Sequence, residues 1–213
     1  MECATKQQNQ TLQTYERLAP TYDQLHQRWL RFSGGEAQAA LEAAVRVAMN
    51  ADTTLLDAGC GTGRFARRLL SEGVRPEQIT LLDPSWAMLA HSADLPVEKT
   101  RGRFEALPFA AASFDIVTCA WAIETVFEPS DAVDELCRVL RPGGLLCLTF
   151  CAEKSERSIL DRIMQARLAY RRTGRFLDID TIKAQVSRAM NCDVQILPSS
   201  GPAATLIARR KRL

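Results

Sequence analysis

The sequence predicts an α/β domain built on a largely parallel sheet with helices on both faces, preceded by a helical segment. Three observations carry this. From residue 53 onward, short and uniformly apolar runs alternate with stretches of helical periodicity, and strands of that kind are buried on both faces, as in parallel sheets. A glycine-rich turn follows the first apolar run, and two further runs near residue 200 are close enough to form a closing strand pair.

Helices are expected first. Tyr22, Leu25, His26 and Trp29 recur at i, i+3, i+4 and i+7, and Ala37, Ala40, Leu41, Ala44, Val45 and Ala48 repeat the pattern. Pro20 interrupts the stretch that holds Leu12, Tyr15 and Leu18, which predicts a bend. Gly34-Gly35 predicts a division between the second and third helices, and the polar residues 1–10 predict a frayed end. Strands are expected at 53–57, 78–82, 97–101, 114–120, 145–150, 193–197 and 203–208. Helices run to Leu70, to about Ser92, and over 130–140, 155–170 and 178–190, with Arg141-Pro142-Gly143-Gly144 as a sharp stop. No repeat or linker divides the 213 residues, so one domain over 1–213 is expected.

Apolar residues make up 46% and charged residues 24% of the chain. That supplies a core and excludes a disordered or collagen-like chain. The net charge of +2 does not advertise nucleic acid as a partner. Arg209-Arg210-Lys211-Arg212 is a local exception, readable as a contact with an anionic surface or as a solvated tail. No stretch approaches the roughly 20 apolar residues of a membrane span. Seven cysteines, odd in number and without close CxxC pairs, and only two histidines argue for reduced thiols in a cytoplasmic setting and for no metal site.

The segment Leu55-Leu56-Asp57-Ala58-Gly59-Cys60-Gly61-Thr62-Gly63-Arg64-Phe65 places three alternating glycines at a strand-to-helix junction, with Asp57 two residues before the first. Bare backbone lets a ligand approach closely and exposes the amides of a helix N-terminus. A plain turn and a dinucleotide fingerprint are the alternative readings. Twenty residues beyond Gly63, the run Ile79–Leu82 ends in Asp83. A carboxylate there accepts from both hydroxyls of a ribose, or it caps the helix that opens with Pro84-Ser85.

Two further blocks follow: Glu105-Ala106-Leu107-Pro108-Phe109 with Ser113-Phe114-Asp115-Ile116-Val117, and Leu136-Cys137-Arg138-Val139-Leu140-Arg141-Pro142-Gly143-Gly144. In this order and spacing the set resembles class I S-adenosylmethionine-dependent methyltransferases, in the quinone-biosynthesis (UbiE-like, methyltransferase domain 11 type) small-molecule branch. Tyr15-Glu16-Arg17-Leu18-Ala19-Pro20-Thr21-Tyr22-Asp23 is similar to that branch's N-terminal segment, so the likeness spans residues 12–152.

The resemblance implies a Rossmann-like seven-stranded sheet of order 3-2-1-4-5-7-6 with its last strand antiparallel. It also implies that residues 1–50 form a helical lid over a core at 51–213, and that S-adenosyl-L-methionine is the cofactor. Asp57, Gly59, Cys60 and Gly61 would border the methionine part, with the acid near its ammonium. Asp83 would hold the ribose, Pro84 and Ser85 would shape the adenine pocket, and Phe104 and Glu105 would contact the ring. Ala120 and Trp121 would lie beside the sulfonium, and Tyr22 would close over the site. Two departures stand out. Arg103 occupies a position where relatives often carry an acid, and the run Trp121-Ala122-Ile123-Glu124-Thr125-Val126 lacks the histidine that many relatives have there.

A sulfonium methyl is already an activated electrophile, so the protein chiefly aligns a nucleophile for in-line attack. A base is needed only where the acceptor must lose a proton. Glu124 is the candidate base or orienting group, with a solvated loop carboxylate or helix cap as its alternative. Tyr22 is the second candidate, and Tyr15 and His26 approach from the same helices, where His26 also reads as packing. Trp121 reads as substrate wall or core, and Cys60 and Cys119 as structural. The expected reaction is methyl transfer to a small apolar acceptor, quinone-like or otherwise, by a monomer or homodimer. The alternatives are N-methylation of a phosphatidylethanolamine-type headgroup at a membrane surface, or a non-catalytic cofactor-binding partner. A nicotinamide oxidoreductase is more remote. Nucleic-acid methylation is not expected, because Ala120-Trp121-Ala122-Ile123 stands where base-amino methyltransferases often carry an (N/D)PP(Y/F) tetrapeptide.

Overall fold

The strands of the computed structural model are β1 (Leu55–Ala58), β2 (Ile79–Asp83), β3 (Glu98–Arg101), β4 (Phe114–Ala120), β5 (Leu140–Cys151), β6 (Val194–Pro198) and β7 (Ala203–Arg209). They form one sheet of order β3-β2-β1-β4-β5-β7-β6. The first five pair in parallel, and β7 is antiparallel to both of its neighbours, as the resemblance implied. The structure describes residues 2–153, 159, 163, 174–199 and 201–212. The helix expected at 155–170 lies outside these, apart from Ile159 and Ile163, which are helical.

Alternation along each strand sends neighbouring apolar residues to opposite faces. Leu56, Leu82, Val117, Leu146 and Leu148 meet α6 (Pro129–Val139) and α7 (Ile179–Met190) on one side. Leu55, Leu81, Ile116 and Cys147 meet α3 (Gly35–Ala48) and α4 (Arg64–Ser71) on the other. Both sides are therefore covered, and strands without polar alternation are the natural consequence. The polar run of β3 forms the sheet edge. The chain leaves β1 toward β2 and β3 on one side and returns to β4 on the other. The strand order thus reverses between β1 and β4, the place where open α/β sheets bind ligands.

Three expectations are corrected and one, at Pro20, is met. The N-terminal residues are helical from Glu2, as α1 (Glu2–Leu18), because this helix docks against α5 (Trp86–Ala90). The interruption expected at Pro20 stands, as a 3-10 turn, Ala19–Thr21, between α1 and α2 (Tyr22–Trp29). Gly34-Gly35 does not break the chain, since helical winding continues from α2 through a π-helical turn, Leu30–Gly34, into α3. Gly34 is small for another reason: a Cβ there would lie 2.5 Å from Trp29 Nε1 and 2.8 Å from the Trp121 ring. Arg141–Gly144 is not a separate stop. α6 ends at Val139 and β5 starts at once, with a register shift opposite Phe114 and Ile116 absorbing the turn. The basic tail is partly spent within the fold. Arg209 donates to the Gly143 carbonyl at 3.0 Å, and Arg210 donates to those of Cys137 and Leu140 at 3.0 and 2.6 Å.

Gly63 N-caps α4 at φ +75°, where a Cβ would lie 2.9 Å from Ser92 Cβ. Gly63→Ala is expected to lower stability by about 1–3 kcal/mol through left-handed strain and this contact. Urea unfolding reads it, and an unshifted midpoint would contradict the conformational requirement.

Candidate active site

The glycine turn leaves β1 with Gly59, Gly61 and Gly63 all at positive φ, 71°, 55° and 75°. The Gly59 and Cys60 amides both donate to the Leu82 carbonyl, at 2.7 and 3.1 Å. Asp83 continues the clamp: one carboxylate oxygen accepts from the Gly61 amide and the other from the Ser85 amide, each at 2.9 Å. A Cβ on Gly59 would lie 2.5 Å from Ala122 Cβ and 2.7 Å from the Phe104 ring. The capping alternative falls to Ser85, whose hydroxyl accepts from Met88 N at 3.1 Å and caps α5.

Two buried carboxylates flank this turn. Burial pushes Asp83 up to about 6 against the opposing pull of the Ser85 and Gly61 amides. Asp57 is also pushed up to about 6 by burial, although the Thr118 hydroxyl donates to it at 2.9 Å. Asp57 makes no ion pair among the described residues.

Two cavities meet over the turn and share Tyr22, Gly59 and Trp121 in their walls. The larger runs under α1, past Gly61, Asp83, Pro84, Met88, Phe104 and Glu105, and on to Ala122 and Val126. The smaller reaches Asp57, Cys60, His26 and Ala120. Tyr22, Asp57, Gly59, Cys60, Gly61, Asp83, Pro84, Phe104, Glu105, Ala120 and Trp121 all line one or both. Ser85 and Glu124 line neither: Ser85 is fully buried beneath Asp83, and Glu124 sits behind the wall.

Trp121 divides the two cavities from an uncommon backbone position, φ +59°, which a bulky residue occupies only when its surroundings hold it there. Its indole N–H donates to Gln38 Oε1 at 2.7 Å, and Gln38 donates in turn to Glu42 at 2.8 Å. Glu42 also takes Arg68 and Arg46. Trp29 packs edge-on against Trp121, ring centres 5.5 Å apart. Sequence reading missed Gln38. Its only local signal is a pair of polar residues spaced i, i+4 on the helix that also buries Leu41 and Val45.

Side-chain hydrogen bonds tie the N-terminal helices to this floor. Asp23 accepts from the Thr62 hydroxyl at 2.6 Å and pairs with Arg64 at 3.5 Å. Glu16 accepts from the Ala87 amide at 3.3 Å, and Gln8 donates to Glu105. Arg103, the departure from the family pattern, donates to the side-chain carbonyls of Gln8 and Asn9 at 3.3 and 3.2 Å. It fastens α1. Tyr22 stacks on His26, ring centres 5.6 Å apart. Burial raises the Tyr22 phenol above its usual range and lowers His26 to about 4, so both stay neutral near pH 7. Tyr22 is therefore a neutral phenol in the wall of both cavities.

Glu124 lies on a single 3-10 turn, Ile123–Thr125, directly after β4. It is not the solvated loop residue of the alternative reading, for it is 5% exposed, and its Oε1 accepts from the Cys151 amide at 3.2 Å. Burial pushes it up to about 7. Among the described residues no cluster of His, Cys, Asp or Glu could hold a metal ion, and no helix is long and apolar enough to cross a membrane.

Residues 56–148 match the family model described as Methyltransferase domain. A malonyl-acyl-carrier-protein O-methyltransferase of Pectobacterium atrosepticum is 34% identical over 177 residues, covering 81% of this chain and 64% of the relative. A ubiquinone/menaquinone biosynthesis C-methyltransferase UbiE of Methylobacterium nodulans is 37% identical over 134 residues, covering 59% of this chain and 50% of the relative. The chain thus spans about half to two thirds of the length of these curated relatives. Among solved structures, a SAM-dependent methyltransferase of Thermotoga maritima shares the fold with a TM-score of 0.71 at 22% identity, over 94% of this chain and 100% of that one. The glycine turn and Asp83 lie within the matched segment, which is similar to methyltransferase domains in sequence and shares the strand order of the solved methyltransferase in its fold.

Gln38→Leu leaves the Trp121 N–H buried without its acceptor. Stability is expected to fall by about 1–3 kcal/mol, the cost of an unsatisfied buried donor. Urea unfolding followed by tryptophan fluorescence checks it, and a wild-type midpoint would show that the bond carries no weight.

Proposed function

We propose that the protein transfers a methyl group from S-adenosyl-L-methionine to a small, apolar acceptor, quinone-like or of similar character, by in-line attack. Residues 1–50 act as a helical lid over a core at 51–213. The observation that carries the reading is the meeting of the two cavities along Gly59, Tyr22 and Trp121, with one oriented carboxylate on each side.

The donor set suits the cofactor. The two amides that fix Asp83 leave lone pairs of both oxygens for a vicinal diol, so Asp83 holds the ribose. Asp57, buried and without an ion pair among the described residues, suits the ammonium of the methionine end. Gly59, Cys60 and Gly61 lie under the ligand between them. Pro84 and Phe104 give the adenine its apolar walls, with Ser85 holding the loop from beneath. Glu105, engaged with Gln8, meets the ring from the lid side. Ala120, Trp121 and Tyr22 border the sulfur, and there the cofactor, when bound, supplies an electrophilic methyl that needs no further activation. The chain's own task is to exclude water and set the approach: α1 closes the larger cavity with Thr11, Leu12 and Tyr15, and Trp121 is fixed by Gln38. The apolar wall favours an apolar acceptor body. The lipid-headgroup variant is less well supported, because Arg209 and Arg210 are bound to backbone carbonyls.

Calorimetry with S-adenosylhomocysteine and tritium transfer from methyl-labelled cofactor to a quinol test the reading. Asp83→Asn is expected to weaken S-adenosylhomocysteine binding by about 10- to 100-fold, the scale of hydrogen bonds to a charged group. Unchanged affinity would remove Asp83 from the ribose. Asp57 is neutral below about 6 in the free protein and cannot then pair with an ammonium. Affinity should therefore rise with pH through about 6 and level off above it, and Asp57→Asn should reduce that rise to the part that Asp83 contributes. A pH-independent wild type would contradict the pairing.

A further inference from the structure

The wall where the two cavities meet is set from α3. Trp121 stands in that wall at φ +59°, and its backbone amide donates to the Thr149 carbonyl of β5 at 2.7 Å. That bond holds the main chain and leaves the indole to be held by its neighbours. Gln38 is buried, lines the smaller cavity, and accepts the indole N–H on its Oε1 at 2.7 Å.

A glutamine suits this place because its amide carries an acceptor and a donor at once. Its Nε2 donates to Glu42 Oε1 at 2.8 Å. Turning the amide over would set donor against donor at the indole and acceptor against acceptor at Glu42. A methionine would offer the indole no acceptor of comparable strength, and a glutamate would bring a second carboxylate onto Glu42. Glu42 is fixed in its turn by Arg68 of α4 and by Arg46 at 3.3 Å, which also reaches Glu72 at 2.6 Å.

The helix that carries Gln38 is tied to the sheet. The Ala37 carbonyl accepts from the Thr205 hydroxyl of β7 at 2.6 Å, and Leu41 and Val45 are buried in the core. The indole is thus referred to the sheet through α3, while α1 and α2 meet the floor through the polar contacts described above.

We propose that Gln38 is a positioning residue of the ligand site: acting through Trp121, it keeps the junction of the two cavities passable for a ligand that spans both. This rests on the cofactor reading above and adds a residue to it. A bulky residue at positive φ stays there because its surroundings hold it, so an indole without its acceptor relaxes into the junction. A spanning ligand then binds the fraction of molecules that still hold the open arrangement, and its apparent affinity falls by that fraction. A ligand confined to the larger cavity does not cross the junction and keeps its affinity. That split separates positioning from a general loss of fold, which weakens both ligands.

The test is calorimetry above the titration of Asp57 and Asp83, with S-adenosylhomocysteine as the spanning ligand and adenosine as the confined one. Gln38→Met should weaken S-adenosylhomocysteine by about 10-fold and adenosine by less than about twofold. Trp121→Phe, which keeps a ring and lacks the N–H, should show the same split. The double variant should bind no more weakly than either single variant, because both remove one bond. If Gln38→Met does not fold, Trp121→Phe decides. Unchanged affinity for S-adenosylhomocysteine overturns the proposal, and so does an equal loss for both ligands. Losses that add in the double variant overturn it as well, since Gln38 then acts on the ligand without Trp121. Failure of wild type to bind S-adenosylhomocysteine overturns the cofactor reading, and the proposal with it.

Discussion

The backbone between β1 and α4 has to be bare and yet rigid, and hydrogen bonds from the next strand make it so. Three glycines in left-handed conformations would be a floppy turn on their own, since glycine loses the most conformational freedom on folding. The Leu82 carbonyl and the Asp83 carboxylate take the amides of Gly59, Cys60 and Gly61 and remove that freedom. Those acceptors stand where they do because β1 and β2 pair in parallel register, Ala58 opposite Leu82. The buried apolar strands are therefore the part of the molecule that positions the site. A slip of one residue would turn Leu55 and Leu56 to the wrong faces and carry Asp83 away from the turn.

The same register explains why two acids are tolerated in the core. Asp57 and Asp83 sit at or beside the C-terminal ends of β1 and β2, where the sheet splits and polar partners can reach them. Thr118 of β4 serves Asp57, and the backbone serves Asp83. Neither forms an ion pair among the described residues. Both are held less acidic than ordinary carboxylates, which is the signature of groups arranged for a ligand. The roof is of different character. α1 and α2 meet the floor through Asp23, Glu16, Gln8 and Arg103, contacts that part at little cost in water. A rigid floor and a roof fastened by polar contacts suit a site that must admit and release a ligand.

Much of this was legible in the sequence because it depends on local pattern. Uniform apolar runs such as Phe114–Ala120 marked strands covered on both faces. Gly59, Gly61 and Gly63 announced a turn stripped of side chains, and Asp83 fell at the expected strand end. What escaped depends on long-range contact. Gly34 looks like a helix breaker, yet it is small because two tryptophans crowd it, one of them 87 residues away in sequence. The Trp121–Gln38 bond joins residues 83 apart. Arg103 looked like a defect in the adenine site until α1 supplied its partners. The N-terminal helix gave no local sign of itself because it is held by its contact with α5. Glu124 could be placed after β4 by motif, but nothing local told whether its carboxylate faced water or lay buried.

The account turns on how one ligand lies across the turn. A crystal structure with S-adenosylhomocysteine bound tests this directly. It should find the ribose hydroxyls on Asp83, the homocysteine amino group toward Asp57, and the sulfur beside Trp121 and Ala120. A ligand bound elsewhere, or one reversed so that adenine occupies the Asp57 cavity, would contradict it.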